Sequence, residues 1–195
     1  MDFKLFEHTY ALLQEGKLEE AVANGESKLK GMPQTDFHLI LTTDLLSQSE
    51  AVIDWITKFY QRVSQQIQVR ALYVELNAFD VNTDEWYLDG FAYEELGTIE
   101  DVDWLANWRT ETATQEPLLL TGLEPLQEAF EAYSQEDNAP EVIVQAHDVA
   151  EVLVILRVQT LVEYVHQAAK GRGLAWGAIP LLVTAHEYEI IYQSS

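Results

Sequence analysis

Hydrophobic positions along this chain change their period twice, and the changes outline its elements. Phe3, Phe6, Tyr10 and Leu13 recur at helical spacing until Gly16 interrupts them. Leu18, Ala21, Val22 and Leu29 mark a second helix that closes near Gly31, with Pro33 just beyond. The spacing predicts a helical hairpin over residues 1–31, appended to a body over residues 32–195. Phe37, Leu39, Ile40 and Leu41 fit either a helix opened by Thr35 or a short strand. Ser47-x-x-Glu50 has the form of a capping box, and the apolar stripe Val52, Trp55, Ile56, Phe59, Val63 and Ile67 follows it.

The period then becomes two. Residues 69–79 and 85–93 alternate and are rich in strand formers, which predicts a hairpin over about 69–93 with its loop at 80–84. Residues 94–120 are polar and irregular, with a short helix expected to carry Trp104 and Trp108. Thr121-x-x-Glu124 is a second candidate capping box, before Leu123, Leu126, Phe130 and Tyr133, and Pro125 is tolerated in a first turn. Asn138-Ala-Pro140-Glu141 opens a segment that stays apolar nearly all round to Lys170. It reads as one long buried helix, or two joined near His147-Asp148, with a strand at 152–158 as the alternative. Residues 179–192 alternate as a C-terminal strand. The order predicts a single α+β domain, a small and mostly antiparallel sheet packed against helices.

The run Leu12-x-x-x-Gly16-x-Leu18-x-x-Ala21 is similar to one turn of a tetratricopeptide repeat. Gly25 stands where that repeat prefers a large residue, and no second copy follows. Such repeats need about three units to bury their faces, so an ordinary helix hairpin is the better reading.

Charge changes the picture more than any motif. The chain has 33 acids, 11 bases and a formal net charge of −22. Residues 71–137 hold 17 of those acids against one base, Arg109, together with ten of the aromatic side chains. Phosphate backbones and anionic membrane surfaces are repelled by such a field, while a cationic partner is drawn in. The plainest explanation of the charge is solubility. No cysteine is present, which removes disulfides and thiolate chemistry. The start, Met1-Asp-Phe-Lys-Leu-Phe-Glu, lacks the basic and apolar regions of a secretory signal, so a cytoplasmic protein is expected.

Several pairs suggest chemistry and fall short of it. Asp80-x-Asn82-x-Asp84 matches the opening of a calcium loop, but Glu85 and Phe91 stand where glycine and glutamate are needed. Glu163-x-x-His166 is one half of a carboxylate-bridged metal motif with no second half. His147 and Glu151 form an i, i+4 pair, but a straight helix would keep His147 from converging with His166. His186-Glu187-Tyr188-Glu189 lies in the last strand, where alternation puts His186 and Tyr188 on one face and both glutamates on the other; His38 could join them, though nothing positions it. Phosphate-loop and serine-nucleophile signatures are absent. The sequence therefore assigns no catalytic residue, no metal and no cofactor.

The strongest constellation is acidic and aromatic. Alternation puts Tyr87, Asp89, Phe91 and Tyr93 on one strand face, and Glu94, Glu95, Asp101, Asp103, Trp104 and Trp108 follow closely. Aromatics give rigid contact area, and carboxylates around them select and steer a basic partner. The competing explanation makes the rings core and the acids their solvated side. The composition fits a non-enzymatic binding protein that occludes a basic protein, as an immunity protein does with a bacterial nuclease toxin. The alternatives are a small ligand- or metal-binding domain or enzyme using histidine–carboxylate pairs, and a homo-oligomeric adaptor, such as a homodimer, whose contact is the N-terminal hairpin.

Overall fold

A computed structural model describes residues 3–77, 79, 85–99 and 101–194. Among them are five α-helices: α1 (Phe3–Gln14), α2 (Leu18–Lys30), α3 (Ser49–Val63), α4 (Glu124–Ser134) and α5 (Glu141–Gly171). Five strands, β1 (Ala71–Asn77), β2 (Tyr87–Tyr93), β3 (Leu118–Leu119), β4 (Leu181–Ala185) and β5 (Tyr192–Ser194), form one sheet in the order β3-β2-β1-β4-β5. The α+β class is as expected. The sheet is mixed rather than mostly antiparallel, because β4 lies parallel to β1 while the other neighbours are antiparallel. A parallel neighbour requires a crossover, and α5 supplies it by carrying the chain back along the sheet.

The expected strand over residues 179–192 is in fact β4 and β5 joined by a tight reversal. Glu187 takes φ 64° there, and the Tyr188 amide donates to the Ala185 carbonyl. The strand alternative for residues 152–158 fails as well: α5 is a single unbroken helix, and Val152 to Leu156 are all buried within it. Such a helix accepts β-branched residues because packing on every side outweighs their small propensity deficit.

Neither capping box forms. α3 begins at Ser49, Ser47 lies in the preceding turn, and Glu50 is ion-paired with Arg172. α4 begins at Glu124, and the Thr121 hydroxyl donates to Gln48 Oε1 at 3.0 Å instead. Residues 36–42 form a 3-10 helix. His38 accepts the Thr35 amide on Nδ1 at 3.1 Å and therefore donates from Nε2 to the Leu29 carbonyl at 2.9 Å.

One large core lies on the inner face of the sheet. Leu72, Val74, Leu76, Leu88, Leu181 and Val183 point into it and meet Leu153, Leu156 and Val162 of α5. The hairpin of α1 and α2 contributes Leu5, Leu12, Leu13, Leu18, Ala21 and Leu29 to the same core. Gly25 explains how close α2 comes: a Cβ there would stand 2.8 Å from Leu153 Cδ2. Gln159, fully buried, fastens α5 to the sheet by donating to the Val183 carbonyl of β4 at 3.3 Å and to the Ile190 carbonyl ahead of β5 at 2.6 Å. Among the described residues no helix is long and apolar enough to cross a membrane.

Candidate functional site

The outer face of the sheet has its own small core. β2 presents Tyr87, Asp89, Phe91 and Tyr93 outward, and β1 sets Asn77, Glu75, Tyr73 and Ala71 directly opposite them. Tyr73 stacks on Phe91 with ring centroids 5.7 Å apart. Residues 94–99 and 101–116 then fold over these rings, and among them no element is longer than four residues. Trp104 meets Tyr93 edge to face at 4.9 Å, and Trp108 lies 5.2 Å from Phe91. Gly97 is required under Trp104, since a Cβ there would fall 2.2 Å from the indole. Arg62 of α3 holds the far end of the segment by donating to the carbonyls of Glu111 and Ala113.

This arrangement divides the ten residues singled out above. Phe91 and Tyr93 are only 8% and 7% exposed, so their rings serve the second core. Tyr93 donates its hydroxyl to the Leu105 carbonyl at 2.7 Å, and burial, with Glu75 nearby, pushes its pKa far up. Glu94, Glu95, Asp101 and Asp103 are exposed, Trp104 is half-buried and Trp108 is 47% exposed. A hollow of about 360 Å³ is lined by Tyr93, Glu94, Glu95, Trp104 and Arg109, and Asp101, Asp103 and Trp108 stand outside it. Arg109 pairs with Glu94 at 3.0 Å across its mouth. Beside it Leu96 is 44% exposed, so apolar surface adjoins the acids.

Further along the same face lies a polar cluster that sequence reasoning passed over. Glu75 and Asp89 face each other across β1 and β2. Glu75 accepts the Tyr73 hydroxyl at 2.8 Å and has His186 Nδ1 at 3.2 Å. Asp89 accepts from Thr114 and from Asn77, each at 3.2 Å. Burial raises the Asp89 pKa, the Thr114 hydrogen bond opposes the rise, and the Glu75 charge adds to it. The register was readable: a loop centred on residue 82 pairs residue 75 with residue 89.

The remaining candidates are scattered. His186 sits in the β4–β5 reversal beside Glu75, whereas Tyr188 points to the inner side and donates to Glu151 Oε1 at 3.1 Å. Their expected shared face does not exist, because the reversal ends the alternation before it reaches Tyr188. His166 is buried against Trp176 with Nδ1 2.6 Å from Ser194 Oγ, and burial lowers its pKa. Glu163 turns instead to the Tyr192 hydroxyl at 3.1 Å. His38 is fixed by Thr35 and Leu29, as described above. The 80–84 loop falls outside the described residues.

His147 lies at the other end of α5 from His166. Its ring stacks on Tyr133 at 4.0 Å and meets Phe37 and Phe130. Its Nδ1 is 3.9 Å from Asp148 Oδ1 and 3.8 Å from Glu151 Oε2. Burial pulls its pKa down to about 4, against the pull of the neighbouring Asp148.

No protein-family model, curated protein or solved structure matches this chain.

Proposed function

We propose that this is a non-enzymatic binding protein whose outer sheet face receives a basic segment of another protein. The observation that carries the reading is the hollow beside Tyr93 and Trp104, with Glu94 and Glu95 on its rim and exposed Trp108 and Leu96 alongside. At about 360 Å³ it suits one or two side chains, at the lower end of the range for ligand pockets. A guanidinium lying on an indole while paired with a carboxylate gains both cation–π and charge-assisted contacts. The Arg109–Glu94 pair exemplifies the second contact within the chain itself. Asp101 and Asp103, on the next turn, extend the field that steers encounter. Occlusion of a toxin or another basic protein is the activity this surface supports, with nucleic acid and anionic membranes repelled.

The test is capture of partners from lysate at low salt, followed by elution with rising salt. A single basic protein leaving stoichiometrically, with an on-rate that falls in the Glu94→Gln, Glu95→Gln, Asp101→Asn, Asp103→Asn variant, supports the reading. Association and salt dependence that survive all four changes would overturn it. The oligomer alternative draws no comparable support, since Leu5, Leu12, Leu13, Leu18, Ala21 and Leu29 of the N-terminal hairpin are buried inside the molecule.

A further inference from the structure

We propose that His147, Asp148 and Glu151 form a binding site for a divalent transition-metal ion of the zinc type, separate from the acidic outer face. One helix supplies all three ligands at i, i+1 and i+4, so α5 fixes their mutual placement without any long loop. Their ligand atoms lie within 4.8 Å of one another. The two histidine–carboxylate separations, 3.8 and 3.9 Å, are too long for hydrogen bonds. They approach the spacing of atoms that share one ion, since zinc–ligand bonds of about 2.0–2.2 Å put tetrahedral ligands roughly 3.4 Å apart.

The surroundings are those of a built site rather than of a solvated acidic patch. The three side chains are only 13%, 12% and 14% exposed. His147 Nδ1 is sealed from solvent and has no hydrogen-bond partner among the described residues, an uncommon state for a buried polar atom. Stacking on Tyr133 fixes the imidazole plane. Tyr188 donates to Glu151 Oε1, the oxygen that is not turned to His147, and so orients the carboxylate from behind as outer-shell partners do. Burial keeps the imidazole neutral at pH 7 and its lone pair available. One imidazole with two carboxylates suits zinc, cobalt or manganese better than calcium or magnesium, which favour all-oxygen shells.

Isothermal titration of the chelator-treated full chain with zinc chloride tests the site, with magnesium chloride as the control. The expected result is one zinc per chain, no comparable magnesium binding, and a zinc-dependent rise in melting temperature. His147→Phe preserves the ring packing and should abolish that stoichiometric step; Glu151→Gln is the second variant should the first fail to fold. Tyr188→Phe, which removes the hydroxyl donated to Glu151, should weaken binding by about 10-fold. Absence of saturable zinc binding in the unmodified chain overturns the proposal. Stoichiometric binding left intact in both His147→Phe and Glu151→Gln overturns it equally, by assigning the ion to other acids.

Discussion

The two faces of the sheet are made from the same strands and solve opposite problems. On the inner face Leu72, Leu76, Leu88 and Leu181 meet a 31-residue helix, and none is more than 1% exposed. On the outer face Tyr73, Phe91 and Tyr93 are covered by residues 94–116, held mostly by side-chain contacts and a few bonds to β2 and α3. These four inner side chains carry no polar groups, whereas the outer ones include two carboxylates facing across a strand pair and a hydroxyl bonded to one of them. Stability resides on the side where water is fully excluded. The side where exclusion is partial keeps charges that a purely structural face would discard.

Truncation should separate the faces most clearly. Leu153→Ala removes a fully buried side chain from α5, beside Gly25 and the inner strands. The expected loss is about 2–5 kcal/mol, measured by denaturant unfolding. Gly25 could let α2 settle into the space, which would place the loss at the low end. Trp104→Ala on the outer face should cost only about 1–2 kcal/mol, because the indole is already part exposed. It should nonetheless remove a wall of the hollow and with it the capture of a basic partner. Equal losses at the two positions would erase the distinction between the faces.

Between those two in size lies a pH effect on the inner side. The His147 pKa is depressed from 6.5 to about 4 in the folded chain, with burial the main cause. Between those values the unfolded chain binds a proton that the folded chain refuses. The associated stability is therefore complete above pH 6.5 and is lost as pH falls towards 4, by roughly 3 kcal/mol in all. Asp148 and Glu151 face the ring from α5, with Tyr133 and Phe130 from α4 and Phe37 from the 3-10 helix, and the charge of the chain's amino terminus adds to the lowering. Unfolding curves from pH 4 to 8 in chelator should show the slope, and His147→Phe should flatten it. A slope unchanged in that variant would mean that the imidazole is protonated in the fold.

What the sequence made legible was local, and what it hid was not. Alternation along residues 87–93 placed Tyr87, Asp89, Phe91 and Tyr93 on one face correctly, because strand period depends only on neighbours. It could not say that Trp104 and Trp108 would come down on two of them, since residues 94–116 have no period at all. The Thr121 cap was lost to Gln48, 73 residues away, and Glu50 is paired with Arg172 across 122 residues. The turn after β4 contains neither glycine nor proline, and Glu187 takes a left-handed conformation that propensity disfavours. The pairing of β1 with β4 joins segments more than a hundred residues apart. His147 and Glu151 could be seen as an i, i+4 pair, but the sealed Nδ1 depends on rings from two other elements.

The smallest expected effect has the opposite sign. The Asp89 pKa is raised in the fold by burial first and by the Glu75 charge second, so its ionised form is disfavoured there relative to the unfolded chain. Asp89→Asn should therefore stabilise the protein at pH 7, by less than any loss argued above. Asparagine can still accept the Thr114 hydroxyl on its Oδ1, and Asn77 can turn its own amide so that its oxygen accepts from the new NH2. The gain should shrink as the pH falls and the native carboxyl becomes neutral. Glu75→Gln should relieve only the charge part and give a smaller change at Asp89. A stabilised Asp89→Asn protein that captures its partner less well would show that the outer face holds this carboxylate at the expense of stability. A destabilised one would assign Asp89 to the architecture of the sheet, alongside the rings beside it.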